Sequence, residues 1–121
     1  MLFKDNFYTV SSSTVHEATV TFSIELNKNH AIFKGHFPGN PVTPGVAQME
    51  IVKELMKTHT NKELNLVSMA NCKFLAILNP DTDANVDVIL KVTTQEDDTL
   101  RVAAVIKNEA TLFLKMSAIY S

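Results

Sequence analysis

The sequence predicts an α+β fold in which an antiparallel β-sheet wraps around one long central helix. The first observation is the strict alternation of apolar and polar residues over 18–26 and again after residue 85, which is typical of half-buried antiparallel strands. The second is a single amphipathic stretch, Pro44–Thr58, with helical periodicity. A lone helix with a broad apolar face must be covered by a sheet, because nothing else in the chain offers a second apolar layer.

The strands are predicted from the spacing of their apolar residues. Turn signals separate them at Asn79-Pro80-Asp81, at 95–98 and at Asn108-Glu109. The alternating sets are Ala18, Val20, Phe22, Ile24 and Leu26; Val86, Val88, Leu90 and Val92; Leu100, Val102, Ala104 and Ile106; and Leu112, Leu114, Met116, Ala118 and Tyr120.

Three other segments are less regular. Residues 66–78 are apolar without strict alternation, which predicts a strand that is bulged or buried on both faces. Residues 5–10 are a short mixed segment in which Phe7 and Tyr8 are expected to be buried. Ser11–Ser13 are expected to form a polar break, and 30–33 a brief strand.

The helix has recognisable start signals. Thr43 suits the N-cap and Pro44 the first helical position. Its apolar arc contains Ala47, Met49, Ile51, Val52, Leu55 and Met56, and its polar arc contains Glu50, Lys53, Glu54 and Lys57. Gln48 falls within the apolar arc, so it should be buried with hydrogen-bond partners.

Length and composition place the chain among ordinary globular proteins. Its 121 residues predict one domain, 1–121, and its net charge of −2 argues against nucleic-acid binding. The single cysteine, Cys72, excludes an internal disulfide and a cysteine-based metal cluster. No stretch is long and apolar enough to span a membrane, and the first residues lack the layout of a signal peptide. A cytoplasmic protein is therefore expected.

The segment 35–50 holds three of the four prolines and all three glycines, the residues that most strongly interrupt helices and strands. The prolines predict a stiff loop from His36 to Val42 that leads into the helix. The His36 imidazole can exchange a proton near neutral pH, the amide of Gly45 at the helix start can stabilise an oxyanion, and Glu50 can act as an acid. Such a set suits removal of a proton beside a carbonyl with departure of a hydroxyl.

Simpler interpretations of these residues remain open. A loop histidine among prolines is often structural, and a glutamate on a polar helix arc is often solvated or paired, here with Lys53. His30 flanks the loop and could line a site. No metal-binding spacing such as His-Glu-x-x-His appears, so no metal site is expected.

An oligomer would resolve a geometric difficulty. The prolines keep the loop extended, so His36 and Glu50 of one chain are expected to lie apart, and a symmetric mate can supply the missing group. Apolar residues at Val105, Phe113 and Ile119, on both faces of the predicted sheet, also suggest an oligomer interface.

The segment His36-Phe37-Pro38-Gly39-Asn40-Pro41-Val42-Thr43-Pro44-Gly45-Val46, followed by Glu50, closely resembles the signature of the β-hydroxyacyl-acyl carrier protein dehydratases, members of the hotdog-fold superfamily. Weaker similarity covers Cys72-Lys73-Phe74-Leu75. The resemblance implies a homodimer with a continuous sheet, in which His36 removes the C2 proton of a 3-hydroxyacyl thioester. It also implies that Glu50 of the partner subunit protonates the C3 hydroxyl and that the Gly45 N–H binds the thioester carbonyl.

The same resemblance implies an acyl tunnel lined by Phe37, Val46 and Met49, and no metal or organic cofactor. The substrate would arrive on the phosphopantetheine of acyl carrier protein, in fatty acid or related acyl-chain biosynthesis. Three features depart from the family pattern: a short N-terminal segment, Gln48 at a typically apolar position, and Asn79-Pro80-Asp81-Thr82-Asp83 in place of a Pro-Gly-Asp-like turn. The short N-terminal segment leaves open whether the dimers assemble further into a trimer of dimers. Gln48 bears on which acyl chains are accepted.

Two other functions fit the same features. A hotdog thioesterase also places an acid near a helix N-terminus but hydrolyses the thioester. A non-catalytic subunit that binds acyl carrier protein would keep the fold without turnover.

Overall fold

The computed structural model describes residues 3–35 and 39–121 as one six-stranded antiparallel sheet and two helices. The strands run in the spatial order β1-β2-β4-β5-β6-β3, and every neighbouring pair is antiparallel. In chain order the elements are β1 (Tyr8–His16), β2 (Thr19–Leu26), α1 (Ile32–Gly35), α2 (Gly45–Thr60), β3 (Leu66–Phe74), β4 (Asn85–Thr94), β5 (Leu100–Lys107) and β6 (Leu112–Tyr120).

The long helix α2 supplies the second layer of the core, as its apolar arc predicted. It ends at Thr60 and is capped by Asn61, which adopts the left-handed conformation with φ 55° and donates its N–H to the carbonyl of Lys57 at 2.8 Å. Ile51, Val52, Leu55 and Met56 are fully buried, and the inner residues of β2, β4, β5 and β6 pack around them. This antiparallel sheet with a central helix confirms the predicted fold class.

The alternation predicted the four central strands because each has one face on the core. In β4, for example, Val86, Val88 and Leu90 are buried whereas the intervening Asp87 and Ile89 are only half-buried. β5 shows the same pattern, with Val102, Ala104 and Ile106 buried. Period-2 patterning is reliable where burial is one-sided.

Two local predictions were wrong. Ser11–Ser13 are not a break but part of β1, which pairs with β2 across a bulge between Val10 and Ser12. Beyond Val10 this edge strand is exposed on both faces, so the chain has no need for apolar residues there. Residues 30–33 are not a strand either, because His30 begins a turn that leads into the short helix α1.

β3 forms the other edge of the sheet and differs from its prediction in one respect. Its pairing with β6 shifts register at Leu66/Ser68 and at Met69/Asn71, which confirms the predicted bulging. Burial on both faces was wrong, since most of the strand is exposed. Exposed apolar side chains concentrate here and in the segment that follows, at Leu66, Val67, Phe74, Leu75 and Ile77.

The outer-face residues expected to form an oligomer interface carry less exposed surface than β3. Val105 and Ile119 are half-buried, and Phe113 is buried. Within residues 3–35 and 39–121, no helix has both the length and the apolar character needed to cross a lipid bilayer.

Candidate active site

An apolar cleft of about 470 Å³ opens at the N-terminus of α2. One wall is the start of the helix and the other is the chain that leaves β3. Three residues predicted to belong to the site, Gly45, Val46 and Met49, line this cleft together. The remaining lining residues are Val42, Thr43, Pro44, Gln48, Phe74, Ala76, Ile77 and Leu78.

Gly45 has a steric role in this cleft that the sequence did not reveal. A Cβ atom at Gly45 would lie 2.7 Å from Cζ of Phe74, because the edge of that ring rests against the start of the helix. Phe74 itself is about half exposed, at 49%. Phe74 and Ile77 were missed as site residues, and the only available signal was the resemblance around Cys72-Lys73-Phe74-Leu75.

The first turn of α2 starts one residue later than predicted. Pro44 is the N-cap, with extended φ −61° and ψ 148°, and no side chain caps the helix within the described chain. The carbonyl of Pro44 accepts the N–H groups of Ala47 and Gln48, both at 3.1 Å. The preceding amides at Gly45 and Val46 have no partner inside the helix, as in any first turn. They form the positive end of the helix dipole beside the cleft.

Thr43 is not the helix cap, and its hydroxyl has a different environment from the one predicted. Its backbone N–H donates to the carbonyl of Leu78 at 2.9 Å, which joins the two walls of the cleft. The side chain is 2% exposed, and Oγ1 has no hydrogen-bond partner among the described residues.

Gln48 is buried, at 3% exposure, as the sequence predicted. Its Nε2 donates to the Thr43 carbonyl at 3.2 Å. The prediction that the Gln48 side chain has hydrogen-bond partners is therefore confirmed for Nε2 only, because Oε1 has no partner in the described part of the chain.

Glu50 lies in the turn of α2 that follows Met49 and is half-buried. The pairing with Lys53 does not form; among residues 3–35 and 39–121 the only ion pair joins Lys57 Nζ to Glu63 Oε2 at 2.9 Å. Burial, with the Glu50 carboxylate as a second cause, raises the pKa of Tyr120 to about 12.

Glu54 was placed on the polar arc, and this was wrong. It is 5% exposed, and its carboxylate accepts hydrogen bonds from the N–H of Phe3 at 2.7 Å, the N–H of Lys4 at 3.0 Å and the hydroxyl of Tyr8 at 3.0 Å. Burial and then the Glu54 carboxylate raise the pKa of Tyr8, which keeps that phenol a donor. Glu54 thus fastens the N-terminal segment to the central helix.

His36 and Phe37 lie outside the described residues, and their predicted roles remain predictions. The residues just before them are held by His30, whose Nδ1 accepts the N–H of Ile32 at 3.1 Å. The His30 ring also meets Phe7 edge-on, with centroids 5.1 Å apart. His30 supports the approach to the loop and also borders a separate cleft with Lys28, Lys34 and Asp81.

The antiparallel sheet around one central helix is the arrangement of a hotdog fold, and its apolar cleft lies at the N-terminus of that helix. Residues 12–113 match the model of the ApeI-like dehydratases, described as ApeI dehydratase, and the chain belongs to that family. It is also similar to the 3-hydroxyacyl-[acyl-carrier-protein] dehydratase FabZ of Rickettsia massiliae, with 33% identity over 80 residues, 60% of this chain and 55% of that protein. The chain spans about half the length of the curated relatives it matches.

Solved structures support the fold. The dehydratase heterocomplex ApeI:P from Xenorhabdus doucetiae aligns with a TM-score of 0.65 at 21% identity, covering 93% of this chain and 96% of that one. A variant of the thioesterase SAV0944 from Staphylococcus aureus aligns with a TM-score of 0.60 at 10% identity, covering 94% and 91%. At these identities the likeness shows the hotdog fold alone.

Proposed function

We propose that this protein dehydrates 3-hydroxyacyl thioesters on acyl carrier protein to trans-2-enoyl thioesters. The observation that carries the proposal is the apolar cleft at the start of α2, with Gly45 in its wall and the half-buried Glu50 in the next turn. An acyl chain suits the apolar lining, and the helix N-terminus suits a carbonyl oxygen that becomes negative. Membership of the ApeI-like dehydratase family supports the same reaction class.

In the proposed mechanism, the thioester carbonyl accepts a hydrogen bond from the Gly45 N–H. The His36 imidazole takes the proton from C2, and the electron pair moves onto the carbonyl oxygen as an enolate. The enolate then collapses to form the C2–C3 double bond as the C3–O bond breaks. Glu50 gives its proton to the departing hydroxyl, which leaves as water. The thioester itself makes the C2 proton acidic, so the scheme uses no cofactor beyond the phosphopantetheine that carries the substrate.

We further propose that the working unit is a homodimer, with Glu50 contributed by the partner of the chain that contributes His36. The free edge of β3 supports this, because a second copy could continue the sheet there and cover Leu66 and Val67. The alternative is a mixed pair with a related chain, an assembly of the kind named for the dehydratase heterocomplex ApeI:P from Xenorhabdus doucetiae.

The reaction class is tested by incubating the protein with a crotonyl thioester of acyl carrier protein. Dehydratases work in both directions, so the expected product is the 3-hydroxybutyryl thioester, with no free thiol. Release of free thiol would show that the protein hydrolyses the thioester and would contradict the assignment as a dehydratase. Binding of the carrier protein without either product would point to a non-catalytic subunit. His36→Ala, with its folding checked by thermal melting, should abolish hydration, and full turnover by this variant would remove His36 from the mechanism.

The assembly is tested with two matched edge variants. Val67→Lys places a charge on β3, whereas Val15→Lys places one on β1 at the opposite edge; these valines are 55% and 64% exposed. Sedimentation should show a dimer for the parent and for Val15→Lys, and a monomer for Val67→Lys. A dimer that survives Val67→Lys, or a parent that is monomeric, would contradict the proposed interface.

A further inference from the structure

Two buried oxygen atoms beside the cleft have no hydrogen-bond partner within residues 3–35 and 39–121. They are Oγ1 of Thr43 and Oε1 of Gln48, whose side chains are at least 97% buried, and both residues line the cleft. An unpaired buried polar group typically costs about 1–3 kcal/mol of stability. Two such groups among the residues that line one cleft suggest that a ligand group completes them.

The orientation of the Gln48 amide is fixed by chemistry. Its nitrogen must face the Thr43 carbonyl, 3.2 Å away, because an amide oxygen turned that way would face another acceptor. The oxygen is therefore left as an acceptor that needs a donor. Thr43 Oγ1 can both donate and accept, so the pair offers one acceptor and one group of either kind.

We propose that Thr43 and Gln48 form a polar subsite that selects acyl chains carrying a hydroxyl group beyond C3. A hydroxyl can donate to Gln48 Oε1 and accept from the Thr43 hydroxyl, so its hydrogen-bonding capacity matches the two unpaired groups. This inference rests on the proposed function and names its substrate class. The other lining residues are apolar or lack a side-chain polar group, so a hydroxyl within an apolar chain matches the cleft better than the amide-rich pantetheine arm.

Access to the subsite requires a small rearrangement. Both oxygens are buried, so a ligand reaches them only after a neighbouring side chain moves. Phe74 is one lining side chain that can move, because the residue is 49% exposed and the outer edge of its ring rests against Gly45. An acyl chain entering beside Gly45 would displace this ring.

The test measures binding without turnover, so that it does not depend on the proposed reaction. The probes are saturated acyl-pantetheines in which an amide replaces the thioester, so they can be neither dehydrated nor hydrolysed. One has an unsubstituted chain, and the others carry one hydroxyl at successive positions beyond C3. Calorimetry should show at least one hydroxylated chain binding the parent about tenfold tighter than the unsubstituted chain.

The variants separate the subsite from general packing. Gln48→Met keeps the side-chain length without the amide, and Thr43→Val keeps the shape without the hydroxyl. In each variant the ratio of the affinities for the hydroxylated and unsubstituted chains should fall close to one. Thr43→Ser restores the hydroxyl and should keep the preference. If Gln48→Met does not fold, the comparison of valine with serine at position 43 decides the matter.

The subsite would be overturned by equal binding of all chains to the parent, or by a preference that survives Thr43→Val. The first result would mean that a water molecule or another part of the protein satisfies these atoms. A hydroxyl preference in a protein that shows no dehydration would reject the proposed function but keep the subsite. Dehydration without a preference for hydroxylated chains would keep the proposed function but reject the subsite.

Discussion

Glu50 and Glu54 lie one turn apart on α2, yet their surroundings are opposite. The Glu54 carboxylate is buried and accepts three hydrogen bonds, two from backbone N–H groups and one from Tyr8. Glu50 is half-buried, and no described residue donates a hydrogen bond to its side chain or forms an ion pair with it. The same residue type on one helix is thus tied into the structure at one position and left open at the next turn.

The difference teaches which polar groups are available for chemistry. A carboxylate whose oxygens are already occupied holds its neighbours in place and has little capacity for a substrate. A group left without partners can exchange a proton or a hydrogen bond with a ligand. Thr43 and Gln48 follow the second pattern, because each keeps an unpaired oxygen at the cleft wall.

The largest expected effect is the loss of activity when Glu50 is replaced. Glu50→Gln keeps the size of the side chain but removes the proton donor, so kcat for dehydration should fall by about 10²–10⁴-fold. Stability should be nearly unchanged, because no described hydrogen bond is lost. Steady-state kinetics beside thermal melting check both statements. Parent-like kcat in Glu50→Gln would exclude the residue as the acid.

Glu54→Gln should show the reverse pattern. An amide can keep its oxygen towards Lys4 and Tyr8, but its NH₂ then faces the buried N–H of Phe3, and the lost bond should cost about 1–3 kcal/mol of unfolding free energy. Denaturant unfolding measures the loss. Tyr8→Phe, which removes one donor and leaves the carboxylate, is the matched control and should cost less. A Glu54→Gln protein as stable as the parent would contradict the anchoring role.

Alkaline unfolding tests whether the folded protein raises the pKa of Tyr120, chiefly through burial. The pKa of Tyr120 is raised to about 12, so the folded protein favours the neutral phenol. The associated stability is complete below the ordinary tyrosine pKa of about 10 and is lost as the pH rises towards 12, by about 1–2 kcal/mol. Unfolding of Tyr120→Phe should therefore show a weaker loss over this range. An identical pH profile in parent and variant would show that the phenol is not perturbed.

A small effect on stability is expected at Gly45. In Gly45→Ala the new methyl would displace the outer edge of the Phe74 ring, which is free to move, so the unfolding free energy should change by less than about 1 kcal/mol. Acyl-chain binding should nevertheless weaken, because the new methyl group takes up space in the wall of the cleft. Calorimetry with the unsubstituted acyl-pantetheine amide measures this, and a Phe74→Ala change in the same protein should restore binding. Unchanged binding in Gly45→Ala alone would mean that the chain does not pass this residue.

The sequence located an element correctly where only one face of that element is buried. The apolar alternation located β2, β4, β5 and β6, and the helical period located α2, since each of these elements places one face on the core. It failed for β1 beyond Val10, where both faces are exposed and no pattern is required. It also failed at Glu54, because helical spacing cannot show that the N-terminal segment folds back over the polar arc.

The sequence by itself determined the α+β arrangement and the position of Gly45, Val46 and Met49 at the start of the central helix, because both follow from short-range periodicity and from the Pro-Gly signals around them. Only the tertiary structure decided that Phe74 packs against Gly45, that Glu54 is buried, and that Thr43 and Gln48 keep unpaired oxygens beside the cleft. The physical reason is that hydrogen-bond satisfaction and close packing depend on which distant segments meet, and one-dimensional patterns record only the faces they present.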